Sequence, residues 1–155
     1  MGSSKPDNVF RASVGVVVIN GGGEVLALER ADVKGAWQMP QGGLKKGEEP
    51  LDAAHRELRE ETGIEADTVD LVGEYPEWLA YELPPEQRSG KYGRGQVQKW
   101  YLFRYKGDDG EIDLENAEAH EFVDWRWTSL RALAEETASF RREIYRKLAE
   151  RFGLG

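Results

Sequence analysis

A layered α/β domain is the fold this sequence predicts, and three observations predict it. Short segments rich in β-branched residues recur along the chain, beginning with FRASVGVVVIN at residues 10–20. One amphipathic helix spans Pro50–Thr62, opened by a proline where the first turn tolerates one and stopped by Gly63. A second helix, over 138–152, carries Phe140, Ile144, Tyr145, Leu148 and Phe152 in a helical stripe. A length of 155 residues suits one domain with a real core. Residues 9–155 are expected to form it, and residues 1–8, polar and opening on MGSS, are expected to be a disordered start.

In chain order, residues 10–20 end at Gly21-Gly22-Gly23, after which EVLALER at 24–30 alternates apolar with other residues, so the two read as a hairpin. Residues 36–40, AWQMP, form a short extended piece leading into a glycine turn and the first helix. Strands are expected over 69–74, 78–83, 98–105 and 121–127, and a short helix over 128–135. Between them PPEQRSGKYGRGQV, residues 84–97, bears Arg88, Lys91 and Arg94, with Lys99 just beyond; it reads as a long mobile loop, either a lid or a solvated insertion. Several strands around the first helix and a closing C-terminal helix make the layers; strand order does not follow from the sequence.

Twenty-one bases against 29 acids give a net charge of −8, which disfavours tight nonspecific binding along a nucleic-acid backbone while leaving open a nucleotide end held through metal ions. The absence of cysteine excludes disulfides and thiolate metal sites. With no long apolar stretch and no signal-peptide pattern, a cytoplasmic protein without a membrane partner is expected.

On the first helix Leu51, Ala54 and Leu58 share one sector, and Glu57, Glu60 and Glu61 share the sector beside it, facing a cleft. Two like charges about 4 Å apart repel by roughly 4 kcal/mol at an effective dielectric near 20, so a cation should relieve them. Oxygen ligands with no cysteine and no paired histidines point to Mg²⁺ or Mn²⁺. A solvated charged face, with Arg56 paired to Glu60, is the plain alternative. His55 and His120 form no metal pair and are expected to be exposed or structural.

The helix and the turn before it run Gly42, five residues, Glu48, seven residues, then Arg56-Glu57-Leu58-Arg59-Glu60-Glu61-Thr62-Gly63-Ile64. This resembles the signature of the Nudix hydrolases at every defining position. The resemblance implies an α/β/α sandwich with a mixed sheet and a catalytic loop–helix–loop that binds divalent cations and cleaves a diphosphate linkage. It implies Glu57, Glu60 and Glu61 as metal ligands, catalytic roles for Glu57, Arg56 and Glu61, and Glu48 as a support for the loop. In it Arg56 orients a neighbouring glutamate, and Glu57 is one candidate for the general base.

Further pieces, Arg11–Gly15, Trp37–Gly43, Gly95–Trp100 and Glu121–Trp127, are similar to the Nudix branch that contains the bacterial RNA pyrophosphohydrolases and the dinucleoside polyphosphate hydrolases. That likeness implies Glu121 as a metal ligand from outside the helix and Arg11, Gln38 and Gln41 near the phosphates. Trp37, Gly42 and, more weakly, Arg30 complete the substrate set, and Phe140-Arg141 would hold a base. The expected reaction is Mg²⁺-dependent removal of pyrophosphate from 5′-triphosphorylated RNA. Hydrolysis of diadenosine tetraphosphate is the alternative enzyme, and a catalytically silent nucleotide-binding module the alternative class; the intact acids argue against the latter. Monomer and homodimer both stay open.

Overall fold

The computed structural model describes residues 8–155, so the expected disordered start lies, apart from Asn8, outside the described residues. Eight strands and three helices follow one another: β1 (Phe10–Ile19), β2 (Val25–Arg30), β3 (Trp37–Gln38), β4 (Gln41–Gly43), α1 (Pro50–Thr62), β5 (Val69–Glu74), β6 (Leu79–Glu82), β7 (Gly95–Tyr105), β8 (Phe122–Thr128), α2 (Leu130–Glu136) and α3 (Ser139–Phe152). The strands form one sheet in the order β3-β2-β1-β7-β5, with β4 on β1, β6 on β7 and β8 on β2. β1 runs parallel to β7 and the other pairs are antiparallel, so the sheet is mixed.

Alternation along β1 builds two cores. Val14, Val16 and Val18 face α1 together with Leu26, Leu28 and Phe103, and Ala53, Ala54 and Leu58 of α1 cover them. Val17 and Ile19 face the other way, with Ala27, Trp100 and Leu102, beneath Leu130 and Leu133 of α2 and Ile144, Tyr145 and Leu148 of α3. Helices on both faces of a mixed sheet make the expected α/β/α sandwich.

The hairpin differs from its expected form. The turn at Asn20 is firm, its side-chain oxygen accepting from the backbone of Gly22 and Glu24, yet β1 and β2 align only at Ile19 and Val25. They then diverge, and the 36–43 segment fills the gap: β3 pairs with β2, β4 with β1, and the Val16 N–H donates to the Pro40 carbonyl. This split leads the chain into the glycine turn before α1. The Tyr145 hydroxyl, buried under α3, accepts from the Met39 N–H at 2.8 Å and locks the segment to the opposite layer; desolvation pushes that phenol up to about 12.

The stretch read as a loop over 84–97 is one as far as Arg94, and its last three residues are strand. β7 starts at Gly95 rather than Gln98, because Gly95, Gln96 and Val97 continue the parallel ladder opposite Phe10, Arg11 and Ala12. Pro85–Gln87 form a 3₁₀ turn, Ser89 bridges to Gly93, and Arg88 and Arg94 both reach Glu82 on β6. Glycine and glutamine composition concealed a paired segment. His55 stacks on Phe103 at 4.7 Å and His120 is exposed.

Candidate active site

α1 begins after Glu49, with Pro50 in its first turn, and ends where the Gly63 N–H closes on the Arg59 carbonyl. Arg56, 13 % exposed, is the hub of its exposed flank. Its Nε and Nη2 grip both oxygens of Glu48, at 2.7 and 2.9 Å, and Nη2 also donates to the Gly43 carbonyl at 2.9 Å. Nη1 donates to Glu57 at 2.8 Å and to Glu60 at 3.1 Å. The guanidinium therefore ties the turn to the helix. Its hydrogen bonds hold the Glu48 carboxyl down to about 2, and Glu48 returns an acceptor to the Lys45 N–H.

Glu57 and Glu61 sit on the inward side of that hub. Burial raises the Glu57 carboxyl, against the lowering effect of Arg56, and Glu60 and Glu121 add to the rise. Gly42 lies against it so closely that a methyl group there would meet the Glu57 carboxylate and push it from its present position. Glu61 is 2 % exposed, and no cation among the described residues pairs with its carboxylate; the Gln41 backbone and the Glu57 side chain are its polar neighbours. Desolvation pushes its carboxyl well above the ordinary range, with the charges of Glu57 and Glu121 next in effect.

Glu121 arrives from far along the chain by a traceable route. After β7 the backbone returns along α1, the Asp113 N–H donating to the Thr62 carbonyl and the Ala119 N–H to the Glu60 carbonyl. His120 then adopts a left-handed φ of 49°, alone among described non-glycine residues, and the Glu121 carbonyl accepts from the Ala31 N–H at 2.8 Å. Glu121 is exposed, as an acid at a strand start would be, and is also a wall of the cavity that Glu57 lines.

That cavity, about 780 Å³, gathers most of the sequence-predicted substrate residues: Arg11, Arg30, Gln38, Gln41, Gly42, Phe140 and Arg141. Arg30 is held by Asp32 through two 2.8 Å hydrogen bonds and donates to Gln38 at 3.2 Å; Arg11 donates to the Gly90 carbonyl and Gln41 to the Tyr81 hydroxyl. Phe140 stacks on Tyr81 at 5.2 Å, and the Arg141 guanidinium lies 4.6 Å from the Phe140 centroid. Trp37 is not among the cavity walls. It packs on the core beneath α2 and α3, its ring 4.1 Å from the Arg126 guanidinium. Neighbouring strand residues point to opposite sides, so Gln38 and Trp37 cannot both face the cleft. Sequence reasoning missed Tyr81, Tyr92, Asp32 and Gln96; for Tyr81 the buried–exposed alternation of β6 is the signal that could have found it.

Among the described residues no three carboxylate or imidazole side chains are gathered into a ready coordination shell. The donor set nevertheless fits a hard divalent cation. Glu61 presents two buried oxygens, with the Gln41 backbone as their neighbouring donor, and Glu57 and Glu121 stand within electrostatic reach of it. Without metal, a carboxyl raised above its unfolded value of about 4.5 contributes stability below that pH, and the contribution is lost as pH rises through the folded value. Glu48 acts oppositely, but its contribution is lost only as pH falls from about 4.5 towards 2. In chelator, Glu61→Gln is therefore expected to raise the melting temperature more at pH 8 than at pH 5.5. An unpaired buried polar group costs about 1–3 kcal/mol, and each kcal/mol is worth about 2–4 °C here. A melting series across that range checks the slope.

Helices on both faces of a mixed sheet, with one cleft setting carboxylates against cations and an aromatic pair, define an α/β enzyme for an anionic substrate. The chain belongs to the Nudix hydrolase family: residues 9–148 match the NUDIX domain. A protein of Cereibacter sphaeroides named RNA pyrophosphohydrolase is 45% identical over 148 residues, covering 92% of this chain and 90% of that protein. One of the same name from Azorhizobium caulinodans is 43% identical over 160 residues, covering 94% of each. Among solved structures, the E. coli dihydroneopterin triphosphate pyrophosphohydrolase superposes with a TM-score of 0.71 at 22% identity, over 90% of this chain and 97% of that one, a likeness of fold.

Proposed function

We propose that residues 9–155 form one catalytic unit, an RNA pyrophosphohydrolase that removes pyrophosphate from the 5′-triphosphate end of RNA. The observation that carries this reading is the single cavity joining Glu57 and Glu121 to Arg11, Arg30, Lys91 and Arg141 beside Phe140. Acids to hold a cation, bases to hold phosphates and a ring to hold a base suit a phosphorylated nucleotide end. The relatives named above support RNA as its body.

Glu57, Glu60, Glu61 and Glu121 are the residues to hold the ion, Mg²⁺ with Mn²⁺ as a substitute. When bound it supplies positive charge to the diphosphate oxygens and makes a water more acidic. Glu57 is one candidate to accept a proton from the attacking water; before any ion binds, burial raises its carboxyl. Arg56 acts through Glu57 and Glu60 by fixing their rotamers, and Gly42 leaves Glu57 room. Arg11, Arg30, Gln38 and Gln41 meet the phosphates, and Phe140 with Arg141 meets a base; Trp37 serves by packing beneath this wall. Removal of pyrophosphate from RNA 5′ ends would suit a role in messenger RNA decay in the cytoplasm. No described helix is long and apolar enough to cross a membrane.

Specificity constants on triphosphorylated RNA, diadenosine tetraphosphate and free nucleoside triphosphates test the substrate. RNA of two or more nucleotides is expected to be favoured, because binding energy from the remote part can position the phosphates. A clear preference for diadenosine tetraphosphate would replace the reading with the dinucleotide hydrolase.

A further inference from the structure

Of the four bases around the β6–β7 connection, three are engaged. Arg88 and Arg94 pair with Glu82, and Lys99 pairs with Glu74 and donates to the Tyr75 carbonyl at 2.7 Å. Lys91 has no carboxylate partner among the described residues; its ammonium lies 5.1 Å from the Tyr92 ring centroid, and both residues line the cavity that holds Glu57 and Glu121. On a chain of net charge −8, an uncompensated ammonium beside that cleft favours an anion.

Tyr92 is 43 % exposed, yet the backbone around it is pinned. The Tyr92 N–H donates to Ser89 Oγ at 3.1 Å, and the Gly93 N–H to the Ser89 carbonyl at 2.6 Å. Arg94 N–H donates to the Val9 carbonyl and Arg11 to the Gly90 carbonyl, so β1 holds the arch on both sides of the ring. Gly93 has φ 68°, and a methyl group there would overlap the Val9 carbonyl oxygen, so only glycine permits this docking. An exposed ring on a fixed backbone is a preorganised surface. No other aromatic ring stacks on it among the described residues. On the opposite wall Phe140 and Tyr81 are already in direct contact at 5.2 Å, leaving no slot for a base between them.

We propose that Tyr92 and Lys91 form a subsite for the nucleotide downstream of the reacting end, the ring stacking on its base and the ammonium meeting its phosphate. This rests on the RNA reading above. Base–aromatic stacking tolerates any base, so the subsite would measure RNA length rather than sequence.

The test is anisotropy with a 3′-labelled tetranucleotide whose 5′-triphosphate carries an α,β-methylene bridge, competed by the matching methylene nucleoside triphosphate. Wild type is expected to bind the tetranucleotide more tightly. Tyr92→Ala should weaken tetranucleotide binding by about 5- to 100-fold and mononucleotide binding several-fold less, while Tyr92→Phe restores the tetranucleotide. Equal weakening on both probes, no weakening, a Tyr92→Phe variant as poor as Tyr92→Ala, or a wild type indifferent to length would each overturn the subsite. Binding needs no turnover, so wild-type assays run in parallel separate the two claims. Length-dependent binding without RNA cleavage would sink the reaction and leave the subsite standing.

Discussion

Glu57→Gln and Glu60→Gln are each expected to lower turnover at saturating Mg²⁺ by about a hundredfold or more while the protein stays folded. Removing one preorganised electrostatic partner of a developing charge costs about 10²–10³ in rate, and a neutral amide is a poor ligand for a hard cation. The fold should survive because each change removes one negative charge from a crowded face. Glu57 is raised by burial with the neighbouring charges of Glu60 and Glu121 adding, so its neutral isostere suits the metal-free site better. Pyrophosphate release assayed beside thermal melts decides the matter. Near-normal turnover in both variants would return the protein to the nucleotide-binding modules.

The second large effect falls on stability and activity together. Arg56→Lys is expected to destabilise the protein by about 2–4 kcal/mol and to lower turnover more than tenfold. One guanidinium serves Glu48, Glu57, Glu60 and the Gly43 carbonyl at once, at 2.7 to 3.1 Å. Breaking a fully buried ion pair from one side costs about 3–5 kcal/mol, these half-buried pairs cost somewhat less, and lysine keeps the charge but not the planar fork. Urea denaturation with steady-state kinetics measures both. If Arg56→Lys kept wild-type stability and rate, the charge alone would suffice and the fork would be incidental.

The parts of the site legible in the sequence are those whose spacing is local. Glu57, Glu60 and Glu61 share a helix face by arithmetic, and Pro50 with Gly63 marks where that helix begins and ends. The two cores were not legible: Val14 to Ile19 read as one unbroken apolar run, and only the pairing of β1 inside the sheet divides them between the two faces. What else depended on partners distant in the chain was not legible either. The β1–β2 hairpin diverges because β3 and β4 occupy the gap, and nothing between residues 10 and 30 announces them. Gly95, Gln96 and Val97 have loop composition and become strand only through their pairing with Phe10 to Ala12. Tyr92 was concealed in the same way: within PPEQRSGKYGRGQV it reads as one polar-loop residue, and only the docking of Gly93 on Val9 makes it a fixed surface.

The parallel pairing of β1 with β7 also bears on how the chain reaches this state. Phe10 meets Gly95 and Ile19 meets Arg104, a constant separation of 85 residues. Central strands joined over so long a loop make a topology of high contact order, in which closure entropy is spent before the ladder rewards it. During synthesis β1 can meet β4 and α1 early, but the edge that β7 will take is expected to stay unpaired until β7 has been made. α1 and its acidic face can coil earlier from local contacts, but the cleft they serve closes only with that late pairing. The slow step of folding is therefore expected to coincide with assembly of the active site, and stopped-flow refolding followed by nucleotide binding would show the two rates equal.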